Sequence, residues 1–294
     1  MTSFDEAWEK VNPKLDLNVE ATRASGVKKA SRRRSIFGNA KILYVDIETS
    51  PHLADVWGLW DQNVPLARLR KSGRIIGFGY QWLGERRATW VSEFDGEAVT
   101  DEAHREMLQK AWDLYDEADV VVTYNGDKFD HLHFNAEWVS AEMTPPAPAK
   151  SIDLYRAVKK NFKFPSNKLE YVSQRLLGDS KVKHAGYQMW RDCLDDDVDP
   201  AVKAKAWRDM GRYCRQDVQL MLPLHERLLP WLPANTNLAT ITGMREKLAC
   251  PKCASEKLER RGFAYTATRA YQRYCCKGCG GWSRSGKHEP ARAS

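Results

Sequence analysis

The stretch Lys41-Ile42-Leu43-Tyr44-Val45-Asp46-Ile47-Glu48-Thr49 constrains this chain more than any other. Its apolar, β-branched start predicts a buried strand. Near its end stand two acids, Asp46 and Glu48, with one residue between them. Residues i and i+2 of a strand share a face, so both carboxylates point the same way from the middle of a sheet. Like charges buried together are costly unless something positive sits between them. A hard divalent cation such as Mg²⁺ is the simplest such partner, because it takes carboxylate oxygens. Taken alone, the stretch fits equally well a strand end whose acids face water.

A chain of 294 residues can bury one sizeable core and carry a small appended unit. Its 43% hydrophobic and 29% charged residues describe a globular, soluble protein. No run approaches the about 18 apolar residues of a membrane helix. The polar start, residues 1–20, lacks the apolar centre of a signal peptide. A cytoplasmic location is therefore expected, with the seven cysteines reduced or metal-bound rather than paired in disulfides. The net charge of +7 is unevenly spread. Residues 1–40 carry 8 Lys and Arg against 5 Asp and Glu, residues 41–249 carry 28 against 31, and residues 250–294 carry 10 against 3. An acid-rich centre between basic flanks suits a metal site with phosphate-binding arms; solvated tails give the same pattern.

Residues 1–40 read as a basic, partly disordered arm. Strands are expected over 41–47, 74–83 and 88–94, forming an antiparallel meander. A helix over 100–117 follows, with Thr100 as N-cap. Residues 119–123 form a wholly apolar strand of the buried parallel type. A turn at Tyr124-Asn125-Gly126-Asp127 leads to a helix from about 129 to 142. A short strand is expected over 151–155 and a helix over 168–177, closed by Gly178. Residues 179–198 read as loop. Asp199 and Pro200 begin a helix that Pro223 ends or kinks near Leu222. These elements predict an α/β fold with a mixed sheet. Residues 41–232 make the main domain, 233–249 a linker, and 250–294 a small C-terminal unit with its tail.

Two further acid sites join the first. Asn125-x-x-x-Phe129-Asp130 leaves the carboxyl end of the 119–123 strand, where open α/β sheets place their sites. Tyr213-x-x-x-Asp217 lies inside the 200–222 helix, with both residues on one face a turn apart. Singly, the tyrosine reads as a core aromatic and the aspartate as a solvated face. Together and in this order, the three segments resemble the DEDD superfamily of 3′–5′ exonucleases, whose fold is RNase H-like. Asp46 and Glu48 match its first motif, Asp130 the second, and Tyr213 with Asp217 the third in its tyrosine form, the DEDDy branch. The resemblance covers residues 41–228. Ile47-Glu48-Thr49-Ser50-Pro51 and Trp57-Gly58-Leu59-Trp60 also look like phage and bacterial RNase H-like proteins, which places the chain in a bacterial cytoplasm, including that of a phage-infected host. The resemblance implies two Mg²⁺ or Mn²⁺ ions. Asp46, Glu48 and Asp217 would hold one, Asp46 would bridge to the second, and Asp130 would support that second ion. Paired ions about 3.5–4 Å apart stabilise both the entering and the leaving oxygen at phosphorus. Tyr213 would orient the attacking water, and Asn125 would contact the strand.

A second chemical unit is Cys250-Pro251-Lys252-Cys253 followed by Cys276-Lys277-Gly278-Cys279. Two C-x-x-C pairs at this separation are a strong Zn²⁺ signal, and the strand-like residues between them resemble a zinc ribbon. Cys275 adjoins Cys276 and could replace it; Cys276 is preferred because it gives the two-residue spacing. Arg260, Arg261, Arg269, Arg273, Lys277 and Arg284 stand among tyrosines and Trp282. Cations interleaved with rings suit single-stranded nucleic acid; a structural ribbon with a soluble surface is the blander alternative. The expected function is metal-dependent 3′–5′ exonuclease action on single-stranded DNA or DNA ends, with no membrane partner. The competing expectations are an RNA-directed or structure-specific nuclease on the same scaffold, and a non-catalytic adaptor that meets a polymerase or another replication or repair protein.

Overall fold

The computed structural model describes residues 40–61, 63–178, 186–244 and 247–287. The arm expected over 1–40 lies, apart from Ala40, outside the described residues, as does the tail from 288. β1 (Ile42–Thr49) leads through a small ribbon, β2 (Leu53–Ala54) and β3 (Leu69–Lys71), into β4 (Ile75–Trp82) and β5 (Thr89–Ser92). Next come α1 (Asp101–Glu117), β6 (Val120–Thr123), α2 (Asp130–Ser140), β7 (Lys150–Asp153) and α3 (Leu154–Asn161). α4 (Leu169–Leu177), α5 (Tyr187–Leu194), α6 (Pro200–Leu228) and the single turn α7 (Leu238–Ile241) complete the main body. The C-terminal unit is a three-stranded sheet of β8 (Leu258–Tyr265), β9 (Ala270–Cys276) and β10 (Trp282–Arg284).

The main sheet runs β5-β4-β1-β6-β7. β4 pairs antiparallel with β1 and β5, while β6 pairs parallel with β1 and β7. This is the mixed sheet flanked by helices expected of an RNase H-like fold. Alternation along β1 sorts its side chains between two cores. Ile42 and Tyr44 pack with Val218 and Met221 of α6. Leu43, Val45 and Ile47 pack on the other face with Met107 of α1 and with Phe134 and Trp138 of α2. The Tyr44 hydroxyl lies 2.9 Å from Nδ1 of His225, a buried bond that fixes α6 across the sheet.

Three elements depart from the sequence reading. The short 151–155 strand stops at Asp153, because its carboxylate caps α3 by accepting the Arg156 N–H at 3.3 Å. The 179–198 stretch contains α5, whose buried Met189 and Cys193 make one apolar stripe too short to stand out among polar neighbours. α6 does not end near Leu222 but continues through Pro223 to Leu228. An interior proline costs roughly 3 kcal/mol. Burying a leucine contributes about 1.5–3 kcal/mol, and both Leu224 and Leu228 are buried beyond the proline. Packing therefore outweighs the lost hydrogen bond.

The C-terminal unit shares the main body's core. Cys250, Cys253 and Cys276 pack in one cluster with Leu228, Leu229, Leu232 and Leu238. The Leu238 N–H donates to the Pro251 carbonyl at 2.8 Å, and the Lys252 ammonium donates to the Pro230 carbonyl. No helix among the described residues is long and apolar enough to cross a membrane.

Candidate active site

Period-two alternation puts Asp46 and Glu48 on the face of Ile42 and Tyr44, toward α6. Across the ladder from them stand two glycines of β4, Gly79 opposite Asp46 and Gly77 opposite Glu48. A Cβ on Gly79 would come within 3.0 Å of Cys214 Sγ and of Val218 Cγ2, so α6 approaches the sheet here as closely as it can. That approach brings the Cys214 thiol to 3.4 Å from the Asp46 carbonyl, to which it donates, and to 3.8 Å from Asp46 Oδ2. One oxygen each from Asp46 and Glu48 and the Cys214 sulfur all lie within 4.8 Å of one another. Burial pushes the Cys214 thiol far above its ordinary range, and the charges of Asp46, Glu48 and Asp217 push it further. Three carboxylates from two elements thus act on one buried point. Glu48 and Asp217 are buried, and Asp46 is half-buried. Tyr213, one turn before Asp217, is half-buried, with its ring edge-on to Trp190 at 6.5 Å between centroids.

Asp130 is held beside this group rather than within it. β1 and β6 pair only as far as Tyr44 and Val122. Beyond that pair Asp130 Oδ1 accepts the Ile47 N–H at 3.2 Å, completing the ladder where β6 has parted from β1. The carboxyl of Asp130 is raised to about 7, first by burial and then by the charge of Asp153, against the pull of the Asp130 and Ile47 N–H groups. Asp153 is itself buried, and its Oδ1 accepts the Asn125 N–H at 2.9 Å. Its Oδ2 is buried and has no hydrogen-bond partner among the described residues. Asn125 has a positive φ of 75°, the left-handed turn that asparagine tolerates. The structure thus brings Asp46 and Glu48 together with Cys214, places Asp217 three residues on along the same helix with Tyr213 a turn before it, and ties Asp130 to the strand between the first two.

Sequence reasoning missed Cys214 and Asp153. Cys214 precedes Asp217 by three residues and therefore shares its helix face, a signal that was present. Asp153 gave only a weak signal, an acid where a strand meets a helix.

Comparison with known proteins agrees with this geometry. A family model described as the RNase H superfamily matches residues 68–229. The chain belongs to the RNase H superfamily. The match begins after β1, so Asp46 and Glu48 lie before it. Over 82 residues the chain is 30% identical to a protein of Frog virus 3 (isolate Goorha) named "Putative DNA polymerase 060R". The aligned part is 28% of this chain and 7% of that relative, so the chain spans a small fraction of its length. Membership of the RNase H superfamily points to nuclease-type chemistry on nucleic acid.

In this RNase H superfamily chain the second cluster is made of sulfur. Cys250, Cys253, Cys276 and Cys279 place their sulfurs within 4.8 Å of one another. Cys253 and Cys276 stand 3.6 Å apart, and Cys250 and Cys279 stand 3.8 Å apart. Ligands at a Zn–S distance of about 2.3 Å in a tetrahedron are spaced about 3.8 Å, so the set fits a structural zinc ion. The neighbouring Cys275 is not in the group. Hydrogen bonds from the Cys253 and Cys279 thiols push the Cys250 thiol well below its ordinary range. The Gly278 and Gly281 N–H groups donate to Cys276 and Cys279 Sγ at 3.3 and 3.4 Å.

The basic residues of the ribbon sheet are exposed. Arg273 lies over the Trp282 ring at 5.0 Å, and Arg284 over Tyr271 at 4.2 Å. Arg261 and Lys277 both pair with Glu259, at 2.9 and 2.6 Å. Arg260 and Arg269 also stand on the exposed surface.

Proposed function

We propose that the chain is a divalent-metal-dependent 3′–5′ exonuclease acting on single-stranded DNA or DNA ends. The observation that carries this reading is the meeting of Asp46 and Glu48 of β1 with the buried Cys214 thiol of α6, the helix that carries buried Asp217 one turn on. An oxygen-rich, largely buried donor set of this kind fits Mg²⁺ or Mn²⁺. Asp46, Glu48 and Asp217 would hold one ion, and Asp46 and Asp130 a second. Such ions supply Lewis-acid stabilisation of charge at the scissile phosphate. The Ile47 N–H fixes one oxygen of Asp130, which leaves the other for that role. Tyr213 presents its phenol on the face that carries Asp217 and orients the attacking water. Asn125 shapes the turn that holds Asp153 behind Asp130, and it contacts the strand from there.

The four cysteines Cys250, Cys253, Cys276 and Cys279 would hold one Zn²⁺. Arg260, Arg261, Arg269, Arg273, Lys277, Trp282 and Arg284 would bind the backbone and bases of the substrate beyond the reacting end. Similarity to a stretch of a protein named as a DNA polymerase supports a partner in DNA replication or repair.

The test is time-resolved digestion of DNA and RNA strands labelled at either end, with Mg²⁺, with Mn²⁺, or with EDTA. A ladder shortening from the 3′ end of DNA, abolished by EDTA, is the expected result. Shortening of RNA alone, or cleavage only at junctions, would select the RNA-directed or structure-specific alternative. Binding without cleavage would select the adaptor.

A further inference from the structure

The ribbon between β1 and β4 carries an unusual surface. Trp57 is 89% exposed, Leu59 87%, Trp60 85% and Leu66 86%. Single exposed apolar residues are ordinary, but four so close in sequence mark a contact surface. The base of the ribbon is well anchored. The Ser50 N–H donates to the Arg74 carbonyl at 2.8 Å, and the Gly73 N–H donates to His52 Nδ1 at 2.9 Å. A Cβ on Gly73 would stand 2.5 Å from the Ser50 carbonyl oxygen, so the two strands can close only over a glycine. β2 and β3 pair at Leu53 with Lys71 and at Ala54 with Leu69, and the Asp55 N–H extends the pairing to the Arg68 carbonyl at 3.0 Å. The exposed rings therefore sit on a held hairpin rather than on a loose loop.

Its place in the fold indicates what the surface meets. Leu53, the first residue of the ribbon, follows Glu48 by five residues. An extended chain covers at most about 3.6 Å per residue, so the ribbon springs from within about 18 Å of the acid cluster, at the same end of β1. The return strand supplies cations: Arg68, Arg70 and Lys71. The Arg68 guanidinium already lies over the Trp57 ring at 5.9 Å. Rings interleaved with guanidinium and ammonium groups match the π-faces and phosphates of an unpaired strand. An apolar protein surface would match the rings but not the cations.

We propose that the tip of the β2–β3 ribbon is a stacking platform on which Trp57 and Trp60 hold unpaired bases of a nucleic acid strand entering the acid cluster. This rests on the reading of that cluster as a nuclease site and adds to it the surface that receives the unpaired bases. Arg68, Arg70 and Lys71 hold the backbone beside the stacked bases.

The experiment is a tryptophan-fluorescence titration of the full chain carrying Asp46→Asn, so that the strand survives. The two probes are a short oligothymidylate and an abasic strand of the same length and charge. Stacking predicts that oligothymidylate binds about tenfold or more tighter than the abasic strand, with quenched emission. Trp57→Ala with Trp60→Ala should lower that ratio at least about fivefold, and Trp57→Phe with Trp60→Phe should restore most of it. An unchanged ratio in the alanine pair overturns the proposal, as does a ratio of one in the parent chain. Light scattering that shows a dimer converted to monomer by the alanine pair also overturns it, because a second copy would then cover the rings. The nuclease reading fails separately, if Asp46→Asn digests DNA at the parent rate; the binding ratio is then read with both strands made of nuclease-resistant phosphorothioates.

Discussion

In the C-terminal unit, four sulfurs, from the segment before β8, the end of β9 and the turn after it, lie within 4.8 Å of one another, whereas at β1 only Asp46, Glu48 and the Cys214 sulfur reach that spacing among the described residues. The contrast follows from the chemistry of the donors. Thiols can stay neutral and hydrogen-bond to one another, as Cys250 with Cys279 and Cys253 with Cys276, so four of them can collapse together. Carboxylates repel one another when ionised, and Asp130 is held by the Ile47 N–H beside the first pair instead of among it. The surroundings differ as well. Three of the cysteines are part of the apolar core, while the acids line a face where α6 meets Gly79. The sulfur site is thereby tied to the core, and the acids stand apart from it.

The largest effect should come from the oxygen site. Asp46→Asn or Asp217→Asn removes charge stabilisation worth several kcal/mol, on the order of a thousandfold in the rate of hydrolysis. The melting temperature without added metal should stay level or rise, because one repelling carboxylate is gone. Initial rates and a thermal melt on the same preparation check both halves, and parent-level rates in Asp46→Asn would remove the acid cluster from the chemistry.

Cys253→Ser should do the reverse. It opens the sulfur cluster and loosens the packing of Leu228, Leu232 and Leu238 beneath it, so the main body should lose stability along with the ribbon. A loss of about 4 kcal/mol corresponds to a fall in Tm of roughly 10 °C for a domain of this size. Zinc content by atomic emission, together with the melt, tests this. A variant that loses zinc yet melts with the parent would show that the ribbon and the main body are independent.

Tyr213→Phe keeps the ring and its edge-on contact with Trp190 but removes the phenol. A misdirected water costs about a hundredfold in kcat, with KM little changed. Equal falls in kcat/KM through KM alone would make Tyr213 a substrate-binding residue.

The smallest effect concerns a third acid group, one that is balanced by the protein's own bases. Glu93 is buried and pairs with Arg74 and with His104 Nδ1, each at 2.9 Å, and His104 Nε2 lies 3.5 Å from Glu137. Burial alone would lower the His104 pKa, but hydrogen bonds to Glu137 and Glu93 lift it to about 9. A raised pKa favours the folded state while the ring is protonated in the fold. That contribution is complete below about 6.5 and is lost as pH rises to about 9. Urea midpoints should therefore fall across this window, and His104→Gln should flatten the slope. An unchanged slope in His104→Gln would assign the pH dependence elsewhere.

The sequence by itself determined what local pattern can carry. Period-two apolarity marked β1 and put Asp46 and Glu48 on one face. Asp199 and Pro200 announced the start of α6, where Asp199 Oδ1 accepts the Ala201 N–H at 2.8 Å. The two C-x-x-C pairs marked four sulfurs that the fold then assembled. The tertiary structure alone decided the rest. The tie of Asp130 to Ile47, the pressure of Asp153 on Asp130 and the seat of Cys214 against Asp46 join residues 83, 23 and 168 positions apart. No periodicity encodes a contact at such separations, because it depends on how sheet and helix register against each other. The same holds for Pro223. Its local propensity says stop, and only the core that receives Leu224 and Leu228 supplies the free energy that carries α6 past it.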